Sequence, residues 1–264
     1  MSPVVKALLI DLSGTIHIDA KVIPGAILAI ERLRAHNIPF RFATNTTKVS
    51  SRKLVEKLNG LGFQINDNEV FTSLSACRDL IRQKNLRPFL LMEDTAMEEF
   101  KDTNQQNPNA VVIGLAPSQF HYAKLNEAFR LMKSNEDVPL IAVHKAKYFA
   151  DKDEQLSLGP GGFVQALEFA TDKKASVIGK PTRRFFELAL EQIGYQHAPE
   201  QVAIIGDDVW NDLGEGAQEL GLSRMLVRTG KYRPGDEEKL QGHHTFVFDS
   251  VVEAIDHVIG QLKQ

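Results

Sequence analysis

Asp11, Thr44, Asn45, Lys180, Asp207 and Asp208 are the residues whose types and placing could do chemistry together. Paired carboxylates hold a hard cation such as Mg²⁺, which keeps several waters and takes substrate phosphate as a further ligand. A hydroxyl, free backbone N–H groups and an ammonium supply donors for phosphoryl oxygens, where negative charge must be held during transfer. Asp11 follows the apolar run Val4-Val5-Lys6-Ala7-Leu8-Leu9-Ile10 and opens the turn Leu12-Ser13-Gly14-Thr15. Thr44-Asn45 follow Pro39-Phe40-Arg41-Phe42-Ala43, Asp207-Asp208 follow Val202-Ala203-Ile204-Ile205-Gly206, and Lys180 stands just ahead of a helical pattern. Alone, Asp11 is equally well explained as an aspartate capping a turn. Four such features in order, each after the right element, make a stronger case.

The elements that must position them follow from the apolar pattern. Short aliphatic and β-branched runs closed by acidic or Gly-containing turns read as strands buried on both faces of a parallel sheet. Parallel neighbours bring their carboxyl ends to one crevice, where such sheets bind ligands. Pro24 opens a helix with Ile27, Ile30 and Leu33 on one face, so strand, helix and strand make a βαβ unit. Helices over 50–61 and 73–83 follow, the second with a Ser cap at its start.

From about Arg87 the texture changes. Phe89–Met92, Ala110–Gly114 and Leu140–Val143 are short strand candidates between polar loops. Two helices run between and after them, one with Leu125, Ala128, Phe129 and Met132 on a face, the other with Phe163, Ala166, Leu167 and Ala170. The first texture returns at Gly179-Lys180-Pro181, continuing through a helix carrying Phe186, Ala189, Leu190 and Ile193, the strands Val202–Ile205 and Met225–Val227, and a last helix with Val252, Ile255, Ile259 and Leu262. The expected fold class is α/β: a doubly wound parallel-sheet, Rossmann-like core (1–86 and 175–264) with an inserted α/β cap domain (87–174).

Bulk composition excludes several function classes. With 264 residues and 43% hydrophobic side chains the chain can fill a large core, and a net charge of −3 gives no basic footprint for nucleic acid. The single cysteine, Cys77, rules out an intrachain disulfide and fits a reducing, cytoplasmic setting. Its neighbours Leu74, Leu80 and Ile81 mark it as core packing. No run approaches the roughly 18 apolar residues of a membrane span.

Asp11-Leu12-Ser13-Gly14-Thr15, Thr44-Asn45, Lys180 and Gly206-Asp207-Asp208-Val209-Trp210-Asn211-Asp212 together resemble the haloacid dehalogenase-like hydrolase superfamily. The insertion resembles the larger α/β cap of its 4-nitrophenylphosphatase-like subgroup, with Leu158-Gly159-Pro160-Gly161 and Thr229-Gly230-Lys231 adding to the likeness. The resemblance implies a Mg²⁺-dependent phosphatase acting on a small phosphorylated substrate. Asp11 would be the nucleophile that forms an aspartyl-phosphate. Leu12, Ser13, Thr44, Asn45 and Lys180 would bind the phosphoryl group, Lys180 also neutralising charge on the nucleophile. Asp11, Asp207 and the Ser13 carbonyl would hold the metal, and Asp212 would orient its waters with Asp208 as helper. A homodimer through the cap is the assembly the resemblance allows, with neither nucleic acid nor membrane as partner.

One position departs from the family. Two residues after the nucleophile its members usually carry an aspartate that serves as general acid and base; here it is Ser13. Acid–base help is worth about 10²–10⁴-fold, so a slow enzyme on alkyl phosphates is expected, with phosphohistidine, phospholysine, pyrophosphate and aryl phosphates suffering least. A catalytically silent phosphate-binding scaffold is the rival reading. Metal-independent dehalogenation is disfavoured by the paired acids Asp207 and Asp212.

Smaller signals have ordinary explanations beside functional ones. His17 either replaces the missing acid–base group or lies in a solvent-facing loop, the more ordinary case. His144-Lys145-Ala146-Lys147-Tyr148 reads as a solvated loop before it reads as a cationic substrate contact. Gly159-Pro160-Gly161-Gly162 reads as a tight turn and helix start before an anion site. His243-His244 has no metal-type neighbours, and Trp210 is expected to pack.

Overall fold

The structure is a computed structural model that describes residues 4–150, 156–240, 242 and 244–262. The chain falls into two compact units, one of Met1–Thr44, Arg52–Phe71 and Lys180–Gln264, the other of Asn45–Ser51 and Thr72–Gly179.

In the first unit the apolar runs become the expected strands. The sheet order is Thr245–Phe248, Ser223–Val227, Val202–Gly206, Ala7–Ile10, Phe40–Thr44, Val70–Thr72. Ala7–Ile10 is central, parallel to Val202–Gly206 on one side (Ala7 opposite Val202) and to Phe40–Thr44 on the other (Leu8 opposite Phe40). Every residue of Ala7–Ile10 is buried, as are all those of Val202–Gly206 and Ser223–Val227. Burying Leu8, Leu9 and Ile10 contributes roughly 1.5–3 kcal/mol each, which fixes the strand that carries Asp11. Helices Ala26–Ala35 and Val251–Gln261 pack on each other, as do Arg183–Ile193 and Glu215–Glu219. The order reverses at Ala7–Ile10: Phe40–Thr44, the next strand of this sheet along the chain, lies on one side of it, and Val202–Gly206 on the other. Such a reversal opens the crevice of a doubly wound sheet.

The second unit carries a four-stranded parallel sheet, Ser176–Val177, Leu140–Ala142, Ala110–Ile113, Pro88–Leu91. Its core gathers Leu91, Val111, Ile113, Ala128, Met132, Leu140, Val164 and Leu167. This unit takes in 87–174 and, beyond it, 45–51, 72–86 and 175–179.

Several local expectations are corrected. Thr72, not a serine, caps helix Ser73–Gln83: its hydroxyl accepts from the Ser75 amide at 3.0 Å while Ser75 Oγ accepts from the Thr72 amide at 3.1 Å. Helix Gly161–Thr171 buries Val164, Leu167, Glu168 and Thr171, leaving Ala166 and Ala170 exposed. Glu168 belongs to the buried face because Lys145 reaches it at 2.6 Å and the Ala175 amide donates to it at 2.9 Å. Phe163 stands partly out of that face and stacks on Phe120 at 3.9 Å between centroids. In the last helix Val251, Ala254, Ile255, Val258 and Ile259 make the buried stripe, with Leu262 largely exposed. Strands Thr245–Phe248, Val70–Thr72 and Ser176–Val177, and the hairpin of His17–Ile18 with Lys21–Val22, add to those expected.

Among the described residues, no helix is long and apolar enough to cross a membrane.

Candidate active site

The carboxyl ends of the central strands deliver the acidic residues to one place in the first unit. Oxygens of Asp11, Asp207 and Asp212 all lie within 4.8 Å of one another, and all three side chains are buried. Lys180 Nζ donates to Asp11 Oδ1 at 2.6 Å, to Asp212 Oδ1 at 2.6 Å and to the Ala43 carbonyl at 2.7 Å. The last bond ties the ammonium to the end of the Phe40–Thr44 strand. Thr15 Oγ1 reaches back to Asp11 Oδ2 at 3.4 Å.

Charge and burial compete here. Burial works against the charge on Lys180, but Asp11 and Asp212 outweigh it and push the ammonium's pKa up. Asp212 is pushed up to about 6, by burial first and by Asp11 next, with Lys180 opposing. Burial likewise raises the Asp207 pKa well above the carboxylate range, helped by Asp212 and Asp11 and opposed by the Lys231 amide. Fully ionised, the three carboxylates would outnumber the one ammonium by two negative charges, which is why Asp207 and Asp212 are pushed up without a cation. An all-oxygen, buried set that would be doubly negative when ionised fits a hard divalent cation.

Asp207 is held by backbone. The Lys231 amide donates to its Oδ2 at 2.6 Å, and Thr229 Oγ1 donates to the Gly14 carbonyl. Gly14 (φ 96) and Gly230 (φ 57) both sit in the left-handed region, and a Cβ on either would run into the Asp207 carboxylate. Both positions therefore require glycine twice over. The Thr229–Lys231 segment follows the Ser223–Val227 strand, so the strand-end argument extends one strand further than the acidic residues alone indicated.

The remaining expected residues divide. Leu12 is buried and Ser13 exposed in the loop after Asp11, and Thr44 is buried at its strand end. Asn45 follows Thr44 directly but counts with the second unit. Asp208 is committed to its own loop: Oδ1 accepts from the Trp210 and Asn211 amides at 3.0 Å each, and Oδ2 from Asn211 Nδ2 at 2.7 Å and Lys231 Nζ at 3.0 Å. Burial would raise its pKa, but Lys231 and Asn211 outweigh that and lower it.

Some of the smaller signals resolve differently from their ordinary readings and some do not. His17 is buried rather than solvent-facing. His144 is buried too, its Nε2 donating to Thr47 Oγ1 at 3.1 Å while Nδ1 accepts from the Ala146 amide, and Lys145 is taken up by Glu168. Gly159 and Gly161 do form a tight turn, pressed against the Ala146 carbonyl so closely that neither has room for a Cβ. Trp210 does not pack: 64% of it is exposed, because its loop is held by Asp208 and not by the indole. His243 lies outside the described residues. Cys77 is fully buried in its helix and its thiol pushed up to about 12 by that burial, as core packing requires.

Comparison with known proteins places this arrangement. The haloacid dehalogenase-like hydrolase family model matches residues 8–106, and a HAD-hydrolase-like model matches 177–254. Haloacid dehalogenase-like hydrolase domain-containing protein 2 of Bos taurus is 51% identical over 257 residues, covering 97% of each chain. The chain belongs to the haloacid dehalogenase-like hydrolases. Another similar member of the family is the phospholysine phosphohistidine inorganic pyrophosphate phosphatase of Mus musculus, 38% identical over 256 residues, or 96% of this chain and 93% of that one. Among solved structures, a 4-nitrophenylphosphatase from Thermotoga maritima superposes with a TM-score of 0.85 at 25% identity, covering 96% of this chain and 97% of the other. The haloacid dehalogenase-like fold, a Rossmann-like core with a cap, is therefore the fold of this chain.

Proposed function

We propose that this hydrolase is a Mg²⁺-dependent phosphatase that transfers a phosphoryl group to Asp11 and then to water. The observation that carries the reading is the Asp11–Lys180–Asp212 chain of 2.6 Å contacts, with Asp207 completing the cluster. Asp11 and Asp207 would hold the metal, with the Ser13 carbonyl, and Asp212 would orient its waters. Bound there, Mg²⁺ would neutralise charge building on the phosphoryl oxygens. Lys180 holds the Asp11 carboxylate in place and offers positive charge to the same oxygens. The Asp11 carboxylate attacks phosphorus, the bond to the leaving group breaks, and Thr44 and the loop of Leu12 and Ser13 would bind the group being transferred.

The substrate class follows from Ser13. An exposed hydroxyl cannot protonate an alkoxide in the transition state near neutral pH, so leaving groups that depart with little help are favoured. The substrates named for the mouse relative, phosphohistidine, phospholysine and pyrophosphate, are of that kind, and aryl phosphates, as in the Thermotoga maritima relative's name, belong with them.

The test is a substrate panel of phosphohistidine, phospholysine, pyrophosphate, 4-nitrophenyl phosphate and a sugar phosphate, each with Mg²⁺ and with chelator. Activity should vanish in chelator, and Asp11→Asn should retain less than about one per cent of wild-type kcat/KM, a loss of transition-state stabilisation beyond roughly 2.7 kcal/mol. Full turnover in chelator would refute the metal assignment, and an active Asp11→Asn would refute the nucleophile.

A further inference from the structure

The segment of Thr229, Gly230 and Lys231 touches each loop that carries the acidic cluster. Thr229 Oγ1 donates to the Gly14 carbonyl in the loop after Asp11, and the Lys231 amide donates to Asp207 Oδ2 at 2.6 Å. Lys231 Nζ donates to Asp208 Oδ2 at 3.0 Å. Asp208 in turn braces the turn that leads to Asp212: its carboxylate accepts from the Trp210 and Asn211 amides, and its own amide donates to Asp212 Oδ2 at 3.2 Å. The proposed reaction gives the Lys231 side chain no task.

Lys231 thus makes bonds to two consecutive residues, one from its backbone and one from its side chain. Together they close a ring through the Asp207–Asp208 peptide, and a ring leaves the Asp207 carboxylate less freedom to turn than a single bond does. The amide contact needs no particular residue type, since every residue but proline carries the N–H. What the side chain adds is the second anchor. Burial does not set its place, because 63% of the Lys231 side chain is exposed, against 12% of the Asp208 side chain. An ion pair this open to water contributes little to folding, so what it contributes is placement.

We infer that Lys231 is a positioning residue for the divalent cation: anchored on Asp208, it keeps its amide on Asp207 and that carboxylate turned toward the metal. The inference rests on the Mg²⁺ reading above and adds a residue outside the ligand set. Contacts of this kind, one step beyond the ligands, are typically worth about 10–100-fold in metal affinity.

Charge alone predicts the opposite sign. An ammonium near a dication repels it, so deleting the Lys231 charge would tighten Mg²⁺ binding if repulsion were its main effect. That repulsion is weak here, because Asp208 lies 3.0 Å from the ammonium and water reaches most of the side chain. The loss of placement should win, and the direction of the change separates the two.

The test is calorimetric titration of Mg²⁺ into the full-length protein without substrate, beside the Mg²⁺ dependence of 4-nitrophenyl phosphate hydrolysis. Lys231→Met keeps the amide and an unbranched side chain but removes the anchor, and should weaken Mg²⁺ binding by about tenfold or more. The Mg²⁺ concentration for half-maximal rate should rise in step, with much of the lost rate recovered at saturating Mg²⁺. Lys231→Arg, whose guanidinium can still reach the Asp208 carboxylate, should recover most of the affinity. Asp208→Asn should weaken binding too, and adding Lys231→Met to it should cost little more, since both remove the same contact. A merely structural contact would lower the melting temperature and leave Mg²⁺ affinity where it was. That result, or tighter Mg²⁺ binding in Lys231→Met, or full additivity with Asp208→Asn, would overturn the assignment. If wild type takes up no Mg²⁺ and turns over fully in chelator, the metal reading itself fails and takes this inference with it.

Discussion

Removing the Lys180 ammonium should unfold the first unit far more easily than its single position suggests. The side chain is 1% exposed and lies 2.6 Å from each of two carboxylates that are themselves buried. Lys180→Met keeps an unbranched chain of similar length but leaves Asp11 and Asp212 facing each other uncompensated. Breaking a buried ion pair by deleting one partner costs about 3–5 kcal/mol. With a urea m-value of about 2–3 kcal/mol/M, the midpoint should fall by about 1–2.5 M. The measurement is urea unfolding by far-UV circular dichroism in metal-free buffer, wild type against variant, from pH 5 to pH 8. Asp212 is already pushed up to about 6 with Lys180 opposing the rise, and without the ammonium it rises further. A carboxyl whose folded pKa lies above its unfolded value binds its proton more tightly when folded, so it favours folding as pH falls. The variant's deficit should therefore be largest at pH 8 and shrink toward pH 5, and Mg²⁺ should restore part of it at pH 8. A midpoint shift under about 0.5 M, or a deficit that does not change with pH, would refute the reasoning that the ammonium is what makes the two carboxylates tolerable.

Three further outcomes follow from single positions. Ser13→Asp should raise kcat/KM for an alkyl phosphate more than for phosphohistidine, because only the alkoxide needs a proton to leave; equal changes for both would remove the leaving-group argument. Gly230→Ala should lower kcat by about tenfold or more and raise the Mg²⁺ concentration for half-maximal rate, since its Cβ runs into the Asp207 carboxylate at a positive φ; an unchanged metal requirement would show that Asp207 is not a ligand. Cys77, buried with its thiol pushed up to about 12, should resist a disulfide reagent at pH 8 in the native protein and react at once in denaturant; rapid native labelling would contradict its place in the core.

What could be read from the sequence was whatever is written in one segment at a time. Ala7–Ile10 and Val202–Gly206 are buried on both faces, so continuous apolar runs give them away, and the acidic residues at their ends follow. Thr245–Phe248 is only half-buried at each position and lies at the sheet edge, so it has neither the run nor a clean alternation. Helix Gly161–Thr171 was misread by a fraction of a turn because Glu168 is charged and yet inside, and its partner Lys145 lies 23 residues away. His144 was expected in solvent for the same reason, its buried partner Thr47 being 97 residues distant. In the site, the Asp11 loop was visible, but the backbone hold of Lys231 on Asp207 was not, because an amide leaves no mark on residue type.

The reversal of strand order at Ala7–Ile10 has a consequence for synthesis of the chain. One flank of that strand is met by Phe40–Thr44, about 30 residues later, whereas the other waits for Val202–Gly206, whose first residue pairs with Ala7 across 195 positions. At about 5–20 residues per second on the ribosome, that interval is roughly 10–40 s. Throughout it one edge of an entirely apolar strand has no native neighbour and Asp11 lacks Asp207, with Lys180 added only shortly before its end. The nascent chain is therefore inert toward phosphate esters and, over the same interval, most in need of a chaperone. Turnover begins only when the last pieces of the core arrive, so activity in a synthesis reaction times the closure of the central sheet.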